Sequence, residues 1–170
     1  MTRLLIASAL TFVVWGAALK YDTPPGWIAR PVSSASRVAE FALARVNSDA
    51  EDASLIVYFF GGQGGTTQAN LDRWLGQMTQ PDGRASKDVA KTSAFTANGL
   101  PVTLLDVGGT YVAELTPGSA ERHNKPNFRL LAAVVETREG PYFVKATGPA
   151  RTMARWHDSV ITFLESLRIE

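Results

Sequence analysis

The sequence contains no cysteine. That one absence excludes disulfides, thiol nucleophiles, iron–sulfur sites and thiolate-bound zinc, and it removes the residue that carries a bacterial lipoprotein anchor. The fold has to hold by packing alone. Histidine is nearly as scarce, and the two present, His123 and His157, lack the paired spacing of a metal site. No Gly-x-Ser-x-Gly segment signals a serine nucleophile on a strand-to-helix turn. Runs of like charge are missing too. With 17 basic and 16 acidic residues the formal charge is +1. Neutralising phosphates by counterion release needs clustered Lys and Arg, so neither nucleic acid nor an anionic membrane surface is expected as a partner. Metal and cofactor are likewise not expected.

What remains is an ordinary globular composition, 45% hydrophobic over 170 residues. One domain of that length buries ~70% of its unfolded surface and needs no covalent staples. Residues 1–18 have a different character. Arg3 supplies a short positive start, Leu4 to Ala18 is uncharged and mostly apolar, and Gly16-Ala17-Ala18 offers the small residues read at signal cleavage. A membrane-spanning helix needs ~20 apolar residues, and this stretch is shorter. The expectation is a removed export signal over 1–18, with periplasmic or extracellular placement. Membrane attachment enters only if the segment stays uncleaved. Cleavage after Ala18 would also remove Arg3 and leave basic and acidic residues equal in number. A polar, proline-stiffened leader is expected over 19–26, and a single domain over 27–170.

Within that domain, Arg37 to Leu43 alternates with period two and predicts a strand. The continuous apolar run Leu55 to Phe60 predicts a strand in the middle of the sheet. Gly61-Gly62-Gln63-Gly64-Gly65 ends it. Thr66 or Thr67 can then cap a helix whose stripe is Leu71, Trp74, Leu75 and Met78, before Pro81-Asp82-Gly83 stops it. Two hairpins follow. Val89 to Thr96 and Val102 to Val107 flank Asn98-Gly99, with Pro101 loosening the connection beyond two residues. Phe128 to Glu136 and Tyr142 to Thr147 flank Arg138-Glu139-Gly140. A long loop, 116–127, separates them. Gly148-Pro149 opens a last helix with Met153, Trp156, Val160, Phe163, Leu164 and Leu167 on one stripe. The expected fold is α+β: an antiparallel sheet of about six strands with two amphipathic helices packed on it, in the order ββαββββα.

This order resembles the PsbP-like group of α+β domains, over roughly Trp27 to Ile169. Its carriers are Phe163-Leu164-Glu165-Ser166-Leu167-Arg168 and Tyr142-Phe143-Val144-Lys145 leading into Gly148-Pro149. Gly61 to Gly65 with Asn70-Leu71-Asp72-Arg73-Trp74, and Gly108-Gly109-Thr110-Tyr111, look like features of exported bacterial proteins of that group. The resemblance implies an accessory or binding role, and it implies no catalytic residues.

The strand, glycine-rich loop and helix over Phe60 to Met78 invite comparison with a phosphate-binding loop. The lysine that must follow the last glycine is missing, since Gly65 is followed by Thr66-Thr67. Nucleotide hydrolysis is therefore not expected, and the simplest reading is a strand-to-helix turn in which glycines relieve backbone strain. If the loop does hold a polar or anionic ligand, Gln63, Thr66, Thr67, Asn70 and Arg73 are the natural contacts. Asp106, the one acid inside an apolar strand, suits either a strand-edge hydrogen bond or general acid–base chemistry. The basic loop Arg122 to Lys125 is expected to be solvated, both histidines exposed, and Trp27, Trp74 and Trp156 in the core. Taken together the residues point to an exported, non-enzymatic accessory protein that binds a protein partner or small ligand through loops. The alternative is an extracytoplasmic hydrolase built on dispersed carboxylates, Asp106 among them.

Overall fold

A computed structural model describes residues 18–170, so the expected export signal lies outside the described residues except for Ala18. In chain order the elements are β1 (Leu19–Lys20), β2 (Trp27–Arg30), β3 (Arg37–Leu43), β4 (Ala53–Phe59), α1 (Thr67–Leu75), β5 (Met78–Thr79) and α2 (Ser86–Val89). They continue with β6 (Lys91–Ala97), β7 (Leu100–Tyr111), β8 (Lys125–Val135), β9 (Tyr142–Pro149), α3 (Ala150–Ser166) and β10 (Arg168–Ile169). The class is α+β, as the pattern predicts. Eight strands form one sheet in the order β2-β3-β4-β9-β8-β7-β5, with β6 also pairing β7, and β1 pairs β10 separately. Every pairing among the described residues is antiparallel. The strand count exceeds the expected six because β1, β2, β5 and β10 are two to four residues long, too short to show a period.

The two long helices lie on opposite faces of the sheet. α3 packs Met153, Val160, Phe163 and Leu164 onto Leu55, Val57, Val102, Leu104, Val144 and Ala146. Phe163 is wholly buried and sits 5.1 Å from the Tyr21 ring, 5.2 Å from Trp27 and 6.0 Å from Phe41. On the other face, α1 packs Leu71 and Trp74 onto Leu105, Val107, Leu130, Ala132, Val134 and Phe143. Nine helical residues span ~13 Å, whereas an eleven-residue strand such as β8 runs on the order of 35 Å. α1 therefore covers only part of its face, and the rest of that face is left for the loops to wall in.

Several local expectations change. The α1 stripe ends at Leu75, capped by Gly76, and Met78 belongs to β5, opposite Tyr111. Its side chain stays in the α1 core cluster, which is why it fits the helical stripe in the sequence. Val89 closes the short helix α2, and the strand begins at Lys91. The β6–β7 turn is a two-residue turn after all. Ala97 pairs with Leu100, and Asn98 and Gly99 both take positive φ, 48° and 86°, which the twist of a tight hairpin requires. Pro101 does not loosen it, because it lies already inside the ladder, opposite Thr96. Asn98 Nδ2 also donates to the carbonyls of Glu165 and Leu167, at 3.0 and 3.1 Å, and so ties the turn to the end of α3.

Residues 19–26, expected as a leader, run along the domain. Leu19 is buried, Ala18 and Glu170 exchange both backbone hydrogen bonds, Asp22 N–H donates to Ser166 Oγ at 2.9 Å, and Tyr21 packs edge-on against Phe41. Of the three tryptophans among the described residues, Trp27 and Trp74 are buried. Trp156 is half-buried, its indole N–H donating to the Ala44 carbonyl at 2.9 Å. Among the described residues no helix is long and apolar enough to cross a membrane.

Candidate functional site

The part of the sheet face that α1 leaves bare is the floor of a groove. Alternation puts Ser54, Ile56 and Tyr58 of β4 on that face, and Lys145 and Thr147 of β9 beside them. The register sets Ile56 opposite Lys145 and Ser54 opposite Thr147. Tyr111 of β7 and Phe128 of β8 complete the floor. One wall is the end of α1 with Arg73, Gly76 and Gln77. The opposite wall is the segment 113–123. That segment is not the open loop the sequence suggests. Glu114 and Arg122 form a β-bridge, and Leu115 N–H donates to the Glu121 carbonyl, so the chain folds back on itself as a short arm. The cavity enclosed has a volume of about 740 Å³. A second cavity of about 500 Å³ adjoins it, lined by Phe60, Gln63, Gly64, Trp74 and Phe143. Tyr58, Arg73, Gln77 and Lys145 line both.

Lys145 stands where the two compartments meet. It rises from a central strand between two apolar cross-strand neighbours, Ile56 and Ala132. Its ammonium donates to Gln77 Oε1 at 2.6 Å and to the Tyr111 hydroxyl at 3.1 Å, and lies 5.1 Å above the Tyr111 ring. Burial pushes the Lys145 pKa down to about 8, and the nearby positive charge of Arg73 adds to the effect. Burial raises the phenols of Tyr58 and Tyr111, so both stay neutral at ordinary pH. Tyr111 is stacked between His123, 5.3 Å away, and Phe128, 6.1 Å away. His123, expected to be exposed, is accordingly half-buried and part of the cavity wall. Lys125 and Arg37 lie over the Phe128 and Tyr58 rings at 5.4 and 5.6 Å, so cations face the aromatic floor along its length.

Most of these charges are matched. Arg37 pairs with Glu40 at 2.7 Å, Arg122 with Glu114 at 3.6 Å and Lys125 with Glu51 at 2.7 Å, while Asp52 accepts the Arg45 N–H at 3.0 Å. Among the described residues, Arg73 and Lys145 are the cavity cations that lack a carboxylate within 4.0 Å. Arg73 donates to the Asn70 side-chain oxygen.

The five residues suggested by the glycine-rich loop divide into two groups. Gln63 and Arg73 face the second cavity. The other three are engaged in structure. Thr66 is the α1 N-cap, its hydroxyl accepting the Ala69 N–H at 3.2 Å, and Thr67 donates to Glu136 Oε1 at 2.5 Å. Asn70 is fully buried. Its amide donates to the carbonyls of Gly64 and Thr66, at 2.9 and 2.8 Å, and locks the loop to the helix. Asp106 lies on the α3 face, away from the groove, in a two-pronged ion pair with Arg129 at 2.7 and 2.6 Å. His157 sits on α3 with Asp158 Oδ1 2.9 Å from its ring nitrogen. Sequence reading passed over Lys145, Tyr58, Tyr111 and Gln77. The available signal was a lysine at the centre of an otherwise apolar strand, the same irregularity that singled out Asp106.

No protein-family model matches the chain, and no curated protein matches it in sequence. Solved structures do match it. LpqN of Mycobacterium tuberculosis, involved in cell envelope biogenesis, superposes with a TM-score of 0.55 at 11% identity, covering 91% of this chain and 84% of LpqN. PA94 of Pseudomonas aeruginosa, a protein of unknown function, gives 0.48 at 13% identity, covering 84% of this chain and 96% of its own. CyanoP, the cyanobacterial PsbP of Synechocystis sp. PCC 6803, gives 0.48 at 15% identity, covering 97% and 99%. At these identities the likeness is one of fold, carried by LpqN.

Proposed function

We propose that this chain is an exported, non-enzymatic accessory protein that holds a small ligand in the groove on the α1 face of its sheet. The observation that carries the reading is the bare central part of that face. Aromatic rings and a half-buried lysine form its floor, and loops and one helix end wall it. Concave, partly apolar sites with a few convergent polar groups are where ligands bind. The carboxylates around the cavity are each held by a neighbouring donor, and Asp106 is paired on the far face, which supports binding over general acid–base hydrolysis. Export rests on the composition of residues 1–18. The shared fold of LpqN, a protein of cell envelope biogenesis, is in keeping with it.

The test is native mass spectrometry and hydrogen exchange on the full chain, expressed in a Gram-negative host with its own N-terminal segment and recovered by fractionation. A retained small molecule that protects the amides of β4, β9 and residues 111–123 is the expected result. Protection confined to other surfaces, or recovery of the protein only from the cytoplasm, would overturn the reading.

A further inference from the structure

Granting that the groove is a ligand site, we propose the class of ligand it takes: an acidic amphiphile. Its oxyanion head, a carboxylate or a phosphate, is held between Lys145 and Arg73, and a flat apolar arm lies against Phe60, Trp74 and Phe143. The head position follows from charge. Five lysine and arginine side chains line the larger cavity, and three of them already have carboxylate partners. The two that remain, Lys145 and Arg73, are also the two that border both compartments. Lys145 is half-buried without a counter-charge, which is unfavourable, and an incoming oxyanion relieves it while taking a second contact from the exposed Arg73 guanidinium. Lys145 has two acceptors, Gln77 Oε1 and the Tyr111 hydroxyl, for its three N–H donors, so one is left for a ligand. Arg73 binds Asn70 through one nitrogen and has further donors in its planar fork.

The arm position follows from the neighbouring compartment. Phe60, exposed though it is large and apolar, stacks parallel to Tyr58 with ring centroids 5.9 Å apart, and Phe143 lies 5.8 Å from it. Trp74 meets Phe143 edge-on at 6.4 Å. These rings make a wall suited to a flat apolar group, and an exposed aromatic bordering a cavity gains by being covered. An inorganic anion would use the head position and leave this wall bare, and a neutral hydrophobe would leave both cations unmatched.

The probes are 2-naphthoate, 2-naphthyl phosphate and neutral 2-naphthalenemethanol, with acetate and inorganic phosphate as heads without arms. They are titrated against the full chain by calorimetry, while the Trp74 indole N–H is followed by NMR. The two naphthyl anions are expected to bind on the order of ten- to a hundred-fold more tightly than the alcohol, as a charge-assisted contact warrants. Lys145→Met and Arg73→Gln should each erase most of that preference, and Phe60→Ser should weaken all three naphthyl compounds alike. Thermal melts check that each variant is folded. The better of the two anions identifies the head as carboxylate or phosphate, and either order supports the proposal. Equal affinity for alcohol and anions, unchanged by Lys145→Met, would overturn the ligand class and leave the groove as a ligand site. Inorganic phosphate binding as tightly as naphthyl phosphate would overturn the arm. If no naphthyl compound of any charge shifts Trp74, and the natively purified protein retains nothing, the ligand-site reading falls with the proposal.

Discussion

Lys145 of the central strand β9 and Gln77, two residues beyond the end of α1, are joined by a 2.6 Å hydrogen bond from ammonium to amide oxygen. The bond links the middle of the sheet to the element that partly covers it, across 68 positions of chain. Both residues border both compartments of the groove, so the contact also fixes the shape of the groove.

The charge on Lys145 opposes folding at neutral pH. In the folded chain its pKa is about 8, against an ordinary value of 10.5, so between those values the unfolded chain binds more protons than the folded one. Stability contributed through this group is therefore lowest below pH 8 and rises as pH increases from about 8 toward 10.5. The rise is on the order of 2–3 kcal/mol, once solvent screening at a half-buried site is discounted. Urea unfolding at pH 7 and pH 9.5 should show a little over half of this increase in the natural chain, because the rise is complete only above pH 10.5, and a smaller one in Lys145→Met. The variant should also be the more stable at pH 7. A variant less stable at pH 7 would mean that the bonds to Gln77 and Tyr111 outweigh the cost of the buried charge.

What could be read from the sequence follows the length of each pattern. α3 carries four buried apolar positions, Met153, Val160, Phe163 and Leu164, at helical spacing, with Leu167 buried just past its end as the C-cap, and its packing onto the sheet needs nothing outside that window. β4, flanked by β3 and β9, sits in mid-sheet as its continuous apolar run predicts. The pairing of Leu19–Lys20 with Arg168–Ile169 joins the two ends of the described chain, and two residues carry no period, so nothing local announces it. The face chosen by α1 is a tertiary outcome as well, because its stripe shows that it packs without showing which side of the sheet receives it. The groove was hidden for that reason: it exists because a nine-residue helix and a seventeen-residue helix take opposite faces. The glycine-rich loop drew attention for a related reason. Thr66, Thr67 and Asn70 are polar residues at a helix start, and the same donors and acceptors that can hold a ligand there serve equally to cap the helix.

Asn70 and Gln63 separate structural from cavity-facing positions in that loop. Asn70→Ala leaves the Gly64 and Thr66 carbonyls without their side-chain donor and frees Arg73 from its acceptor. Removing a buried hydrogen-bonding group in this way costs about 1–3 kcal/mol. Gln63 lines the second cavity and makes no side-chain hydrogen bond among the described residues, so Gln63→Ala should stay within about 0.5 kcal/mol of the natural chain. Denaturant midpoints of the two variants, measured side by side, check the contrast. Equal losses would show that the loop is held as a unit and not through Asn70.

Gly64 tests how tightly the loop is seated on the sheet. A Cβ built at that position would lie 2.1 Å from Cε2 of Phe143 and 2.3 Å from its Cζ. Phe143 is buried in the cluster beneath α1, where Trp74 meets its ring edge-on, so it has little room to turn away. Gly64→Ala must therefore shift the ring or lift the loop, at a cost of about 1–3 kcal/mol of overpacking. If the loop lifts, the amides of residues 61–65 exchange faster while those of β9 stay protected. If the ring moves instead, the indole N–H resonance of Trp74 shifts and the loop amides are unchanged. A variant as stable as the natural chain, with neither signal altered, would show that the loop does not rest on Phe143.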